Sequence, residues 1–196
     1  KWFEEHVKAV DEVDEVEKQI IVRNQALLSE IVGTHQLHDK ADMLAMLERT
    51  TKASESWSKE PVEDRADLLM RIAGILERHM DELIGLCIKE AGKITVDSVD
   101  EVREAVDFCR YYAVEARRLD PKNRLQSRGV VLCISPWNFP LAIFVGQIAA
   151  ALVAGNTVIA KPAEQTSLIA KRALELMISV GLPEDTVNIV IADGPD

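Results

Sequence analysis

The sequence predicts an α/β fold: an amino-terminal helical layer followed by half of a doubly wound, Rossmann-like parallel sheet. Up to about residue 119, apolar residues recur at three- and four-residue steps, which is typical of amphipathic helices. Short β-branched runs then alternate with apolar helical segments, and this order implies right-handed crossovers and a parallel sheet. We therefore divide the chain into a helical arm at 1–39, a helical layer at 40–127 and the first part of a βαβαβ unit at 128–196.

The first segment, from Lys1 to about Ile31, reads as one amphipathic helix with acidic residues between its apolar positions. Such a helix either packs on its own domain, which we favour, or serves as an arm that meets a partner. The residues from Gly33 to Asp39 interrupt the pattern. Both ends of the chain look cut from a longer protein, because it begins without a methionine and stops just after a predicted strand.

The helical layer is predicted from three apolar clusters at 43–47, 68–76 and 83–86, followed by a long helix from Ser98 to Arg118. Pro61 suits the start of a helix and Gly92 suits the end of one. Asp120 and Pro121 end the long helix. Together these helices form a layer that needs another layer to cover.

That second layer is predicted downstream as a strand at 130–134, a helix at 141–154, a strand at 157–160, a helix at 167–180 and a strand at 187–191. No Gly-x-Gly-x-x-Gly sequence follows either of the first two strands, so a dinucleotide would have to be held without the usual pyrophosphate loop.

Composition narrows the function classes. The chain is 47% hydrophobic and 29% charged, the balance of a globular protein, and its net charge of −10 without a basic stripe argues against a nucleic-acid partner. Three widely spaced cysteines indicate neither a disulfide framework nor a metal site, and a reducing cytoplasm is the simplest setting. The apolar run at 141–160 contains Gln147 and Asn156, which favours a buried helix and strand over a membrane span.

Polar residues and prolines follow each of the first two predicted strands. The first loop reads Cys-Ile-Ser-Pro-Trp-Asn-Phe-Pro at 133–140, and the second reads Lys-Pro-Ala-Glu at 161–164. Because ligands bind at the carboxyl ends of strands in open α/β sheets, two such ends mark one edge of a pocket. From the residues alone, however, Asn138 could simply turn the chain between two prolines, Lys161 and Glu164 could form a surface salt bridge, and Trp137 could be a core aromatic.

These two loops resemble the paired signatures of the aldehyde dehydrogenase superfamily, at the expected separation. The segments at 101–113 and 134–147 are also similar to the aldehyde dehydrogenase module of bacterial proline utilization A, which oxidises glutamate semialdehyde. The similarity covers roughly residues 41–191, and the segment before Gly33 matches no part of the family that we can place.

The resemblance implies a role for each loop residue. Asn138 would donate a hydrogen bond to the oxyanion of a thiohemiacetal, which a neutral amide can do without being neutralised. Lys161 would bond the adenosine ribose hydroxyls, while Glu164 would accept from the ribose and repel a 2′-phosphate, favouring NAD over NADP. The nicotinamide side of the NAD-binding unit would be lined by Ile134, Ser135, Pro136 and Trp137.

Two further residues are implied as substrate contacts. Glu104 would pair with the α-ammonium of glutamate semialdehyde, and Phe139 would wall the aliphatic part of the substrate. An equally open alternative is that Glu104 is a solvated helix-face charge paired with Arg103 or Lys93.

The family also requires a nucleophilic cysteine and a general-base glutamate, which it carries downstream of the matched region. The cysteines of this chain fall on apolar helix faces or within a strand and are most simply core residues, so we expect the polypeptide alone to be inert. The alternatives are a dehydrogenase for another semialdehyde and a non-catalytic assembly module. For the longer protein, the resemblance implies a homo-oligomer and leaves open whether a proline dehydrogenase domain precedes Lys1.

Overall fold

The computed structural model of the protein describes residues 19–122 and 124–192. Its strands are β1 (Gln19–Asn24), β2 (Leu27–Gln36), β3 (Val130–Ile134), β4 (Thr157–Lys161) and β5 (Val187–Ile189), and its helices are α1 (Lys40–Trp57), α2 (Val62–Arg78), α3 (Met80–Ala91), α4 (Thr95–Leu119), α5 (Ala142–Val153) and α6 (Ser167–Ser179). Within these described stretches, no helix is both long and apolar enough to cross a membrane.

The predicted parallel sheet is confirmed. Strands β3, β4 and β5 pair in that order, all parallel, with Val130 opposite Thr157 and Val158 opposite Val187. Helices α5 and α6 connect them, as the alternating pattern predicted. The central strand β4 is the most buried of the three, and Val158 and Ala160 are fully inaccessible to solvent.

The predicted helical layer is also confirmed, and it covers the sheet. Helix α1 packs on the strands, where the Thr157 hydroxyl donates to the Thr50 carbonyl at 3.1 Å and the Asn188 amide donates to the Thr50 hydroxyl at 2.9 Å. Helix α5 approaches α4 so closely that a Cβ on Gly146 would lie 2.8 Å from the Phe108 ring. One continuous apolar core fills the space between these elements.

The helix predicted for the amino-terminal arm is wrong over its described part. Residues 19–36 form an antiparallel hairpin, β1 with β2, and residues 1–18 lie outside the described residues. A β-branched run begins at Ile20, and burial alternates along it, with Ile20 and Val22 turned inward. Leu27 and Ile31, whose four-residue spacing also fits a helix, lie on the exposed face of β2. Period-two alternation and strand propensity therefore outweigh the partial helical spacing.

The hairpin is part of the globular body. Ile20 and Val22 pack with Ile191 beyond the last strand of the sheet. Gly33 lies against Leu168 of α6, where an added Cβ would be 2.8 Å from a leucine methyl carbon. Gly33 is thus a point of close packing inside β2. The predicted interruption at 33–39 is wrong for residues 33–36, which belong to the strand, and holds for residues 37–39, which separate β2 from α1. The division of the chain at residues 40 and 128 stays a prediction.

Candidate active site

The two loops that carry the predicted site residues lie side by side. Ile134 and Lys161 are partners in the register of β3 and β4, so both strands end at the same edge of the sheet. Directly beyond them, the Ser135 N–H donates to the Lys161 carbonyl at 3.1 Å. This backbone bond joins the first loop, which we call the Asn138 loop (residues 135–141), to the second, which we call the Lys161 loop (residues 161–166).

The backbone of the Asn138 loop is held by a lysine from the helical layer. Lys93 follows the left-handed Gly92 that ends α3, and its Nζ donates to the Asn138 carbonyl at 2.9 Å. The same ammonium lies 2.9 Å from Glu101 Oε1 and 4.6 Å from the centre of the Phe139 ring, which places it for a cation–π contact. One side chain therefore contacts both the residue predicted to bind the oxyanion and the residue predicted to wall the substrate.

Glu101 joins the same arrangement from α4. Its Oε2 accepts hydrogen bonds from the Leu141 N–H at 3.2 Å and the Ala142 N–H at 2.9 Å, at the beginning of α5. A carboxylate suits this position because the first N–H groups of a helix lack intrahelical partners and carry partial positive charge. Glu101 is 2% exposed, so its charge is balanced mainly by Lys93 and these two donors.

Sequence analysis gave Glu101 no role and considered Lys93 only as a partner of Glu104. A signal for Glu101 was present: it lies at helical spacing from Ser98 and Ala105 on the buried face of α4, where an acidic residue needs a specific partner. No sequence pattern paired it with Lys93, because their contact depends on how α3 and α4 meet.

Most of the predicted site residues in and beside the Asn138 loop are exposed. Asn138 is exposed, and no hydrogen bond is recorded for its side-chain amide within residues 19–122 and 124–192. Ile134, Pro136 and Trp137 are exposed as well, so the side chains assigned to the nicotinamide pocket line an open surface. Ser135 is buried, and its hydroxyl oxygen has no hydrogen-bond partner among the described residues.

The Lys161 loop presents a loosely associated pair of opposite charges. Lys161 Nζ and Glu164 Oε2 are 3.9 Å apart, which is too long for a hydrogen bond, and both side chains are about one quarter exposed. Gln165 donates to the other oxygen of Glu164 at 3.3 Å. Both charged groups therefore remain able to exchange this contact for hydrogen bonds to a ligand.

A second buried glutamate caps the helix that follows this loop. Glu90 of α3 is 1% exposed, and its two oxygens accept from the Leu168 N–H at 2.8 Å and the Ile169 N–H at 2.7 Å. Burial raises the pKa of Glu90 to about 7, and the two backbone hydrogen bonds oppose this rise. Sequence analysis gave this residue no role.

Glu104 is not linked to either loop by a hydrogen bond or an ion pair within the described residues. It is exposed on α4 and borders an open surface depression, whose other lining residues are Asp100, Arg103, Asp107, Phe108 and Tyr111. Neither an ion pair nor a hydrogen bond is recorded for Glu104 in the described part of the chain. Lys93, considered above as its partner, pairs with Glu101 instead, so that pairing is not observed, while the exposed position of Glu104 still fits a solvated charge on the helix face.

None of the three thiols is suited to act as a nucleophile. Cys87, Cys109 and Cys133 are all buried. Burial raises the pKa of Cys87 and of Cys109 to about 12, and it raises the pKa of Cys133 as well. Since the thiolate is the reactive form, these residues behave as small core side chains.

Comparison with known proteins places this arrangement in a family. The profile of the "Aldehyde dehydrogenase family" matches residues 12–196. The chain is 44% identical over 173 residues to the bifunctional protein PutA of Salmonella typhimurium, covering 88% of this chain and 13% of that protein. It is 34% identical to the 1-pyrroline-5-carboxylate dehydrogenase of Bacillus subtilis, covering 93% of this chain and 38% of that protein.

A solved structure extends the comparison. The 1-pyrroline-5-carboxylate dehydrogenase from Thermus, solved with bound NAD, superposes with a TM-score of 0.87 at 31% identity, over 99% of this chain and 43% of that chain. The chain thus spans well under half the length of these relatives. Our expectation that the similarity starts near residue 41 is wrong, because the family match begins at residue 12 and includes the hairpin. This chain belongs to the aldehyde dehydrogenase family.

Proposed function

We propose that the longer protein containing this chain oxidises glutamate γ-semialdehyde, formed from pyrroline-5-carboxylate in proline breakdown, to glutamate with NAD as hydride acceptor. The observation that carries the proposal is the adjacency of the Asn138 loop and the Lys161 loop at one edge of the parallel sheet. The names of the similar proteins, 1-pyrroline-5-carboxylate dehydrogenase and bifunctional PutA, support this substrate over other semialdehydes.

In this proposal, Asn138 stabilises negative charge on the substrate. Attack of a cysteine thiolate on the aldehyde carbon leaves an oxyanion, and the outward-facing amide of Asn138 is a neutral donor that can bind it. The nucleophile comes from outside this chain, because its own three thiols are buried and have raised pKa values. The chain alone is therefore inert in this proposal.

The Lys161 loop holds the cofactor in this proposal. Lys161 and Glu164 bind the adenosine ribose, and their long 3.9 Å separation leaves both groups able to reorient toward hydroxyls. Glu164 disfavours a 2′-phosphate by charge repulsion, which selects NAD. Residues 134–137, at the end of β3 and the start of the Asn138 loop, line the nicotinamide side. The NAD-bound Thermus structure, similar over nearly all of this chain, supports this assignment.

Substrate recognition is assigned to Glu104 and Phe139. Glu104 is exposed without a recorded cation partner in the described residues, so its carboxylate is available for the α-ammonium of the substrate. Phe139 is fixed beside Lys93 and offers an apolar wall. For the longer protein we further propose a homo-oligomer and, from the bifunctional relative, a proline dehydrogenase domain in the same chain.

The deciding experiment assays the full-length protein and this 196-residue polypeptide side by side. Each is mixed with glutamate semialdehyde, a second semialdehyde or a simple aliphatic aldehyde, with NAD or NADP, and reduction of the cofactor is followed. We expect turnover only with the full-length protein, fastest with glutamate semialdehyde and NAD. Absence of turnover with every aldehyde would favour a non-catalytic assembly module, and preference for another semialdehyde would overturn the substrate assignment.

A further inference from the structure

The contacts of Lys93 fall on the backbone of the loop that carries the proposed oxyanion donor. Its ammonium group has three N–H donors, of which one is directed to Glu101 and another to the Asn138 carbonyl. Its side chain is only 13% exposed, and that of Glu101 only 1%. A charge pair buried to this extent loses much of its solvation free energy, which offsets the attraction between the two charges. A stabilising ion pair is therefore an insufficient explanation for its presence at this position.

Capping of α5 does not explain why Lys93 is paired with Glu101. Glu101 uses Oε2 to accept both N–H groups of the helix, and only Oε1 faces Lys93. The hydrogen bond from Lys93 to Asn138 lies outside the cap and joins α3 and α4 to the middle of the loop. The contact with Phe139 extends this anchor to the next residue.

We propose that Lys93 and Glu101 are positioning residues, which fix the Asn138 peptide so that its side-chain amide is held where the aldehyde oxygen develops negative charge. The inference rests on the proposed function, because it concerns the oxyanion donor of that reaction. The hydrogen bond to the Asn138 carbonyl restrains the adjoining peptide and so narrows the directions in which the Asn138 amide can point. An oxyanion donor must lie within about 2.7–3.1 Å of the oxygen, so a small loop displacement lowers the rate strongly.

Two substitutions in the full-length protein separate positioning from capping. Lys93→Met keeps the apolar stem but removes the donors. Glu101→Gln keeps one carbonyl oxygen, which can still accept from the start of α5, while its NH₂ group faces the lysine and cannot accept from it. Lys89→Met is the matched control, because Lys89 also lies near the end of α3 and contacts a glutamate, Glu30, at 2.7 Å, but away from the loop.

The first readout is hydrogen–deuterium exchange of the peptides covering residues 135–141. We expect Lys93→Met and Glu101→Gln to accelerate exchange in this segment while the strands of the sheet exchange as before, and Lys89→Met to leave the segment unchanged. Unchanged exchange in Lys93→Met would overturn the proposal, whether or not the protein is active.

The second readout is kinetic. Each single variant should lower kcat on glutamate semialdehyde by about tenfold or more, with NAD affinity unchanged, and the double variant should be no slower than the slower single variant, since both act through one contact. Independent, multiplying losses, or a change in KM alone, would overturn a positioning role. An inactive unmodified protein would instead refute the proposed function, and the exchange data would still decide whether the pair holds the loop. If Glu101→Gln fails to fold, Lys93→Met and its control decide both readouts.

Discussion

The Asn138 loop and the Lys161 loop are each anchored by a buried glutamate, but the two anchors differ in one respect. After each strand, a buried glutamate from the helical layer caps the next helix: Glu101 caps α5 and Glu90 caps α6. Of these two glutamates, only Glu101 has a lysine partner recorded among the described residues, and that lysine also donates a hydrogen bond to the loop backbone. A loop proposed to act on reacting atoms is thus fixed at its centre, whereas a loop proposed to hold a cofactor is fixed mainly at its ends.

The largest expected effect tests the chemical role of the first loop. Asn138→Ala in the full-length protein should lower kcat by about 10²- to 10³-fold while leaving the NAD dissociation constant nearly unchanged, because the oxyanion forms only after attack on the aldehyde. Asn138→Asp, which keeps the shape but cannot donate when ionised, should be at least as slow. Pre-steady-state and steady-state kinetics provide the check. An unaltered kcat, with the chemical step shown to be rate-limiting, would assign Asn138 to loop structure alone.

The next effect concerns substrate selection by Glu104 of α4, the helix from which Glu101 caps α5 directly after the Asn138 loop. Glu104→Ala should lower kcat/KM for glutamate semialdehyde about tenfold to a hundredfold, the expected value of a charge-assisted hydrogen bond worth about 1.5–3 kcal/mol. A simple aliphatic aldehyde lacks the ammonium group and should be affected much less. Asp97→Asn, an exposed acidic position in the first turn of the same helix, is the control. Equal losses on both aldehydes would indicate a general structural role for Glu104.

Substitutions in the Lys161 loop should change cofactor binding, whereas Asn138→Ala in the first loop should change kcat. Lys161→Ala should weaken binding of both NAD and NADP by about tenfold, since both cofactors share the adenosine ribose. Glu164→Gln should narrow the preference for NAD by removing the charge that repels a 2′-phosphate. At saturating cofactor, kcat should change little in either variant. Titration calorimetry measures these constants, and an unmodified protein that binds NADP as tightly as NAD would refute the role given to Glu164.

The last effect concerns stability and leaves the chemistry of the site aside: it is a pH dependence from Glu90, the cap for which no lysine partner is recorded among the described residues. The pKa of Glu90 is raised from 4.5 to about 7, so the folded protein binds this proton more tightly than the unfolded chain. Its contribution to stability is therefore most favourable below about pH 4 and declines as the pH rises toward 7. Since glutamine does not ionise, the stability of Glu90→Gln relative to the unmodified protein should rise from pH 5 to pH 8, by up to about 3 kcal/mol.

Denaturant midpoints of the full-length protein and the Glu90→Gln variant at the two pH values measure this difference. A matched comparison uses Glu82→Gln, an exposed acid on the same helix whose pKa is lowered by its hydrogen bond to Arg172. That variant should show no gain at pH 8. A pH-independent difference for Glu90→Gln would show that the cap is charged throughout this range.

The parts of the fold that were predictable are those where one local pattern dominates. The β-branched strand at 130–134 and the apolar helix after residue 141 each show one dominant local pattern, and the structure has both within about a residue of the predicted bounds. The hairpin was not predicted because Ile20, Leu27 and Ile31 fit helical spacing. The alternation of Ile20 and Val22 covers too few residues to outweigh that spacing when a longer stretch of sequence is considered.

The site was predictable where chemistry follows a strand end and unpredictable where it depends on distant segments. Prolines and polar residues mark the two loops in the sequence itself. The carboxylates of Glu90 and Glu101 reach helix starts that lie far along the chain, at Ile169 and Ala142. Their partners are fixed by how the helical layer docks on the sheet, and no local spacing encodes that docking.

The burial of all three thiols also determines how the longer protein can be labelled. Cys87, Cys109 and Cys133 are shielded from reagents and are protonated at neutral pH. An alkylating reagent or a maleimide dye applied to the native protein should therefore leave them unmodified. Any adduct found by mass spectrometry would report on a cysteine outside this chain, so a single thiol there could carry a probe without replacement of the native cysteines here.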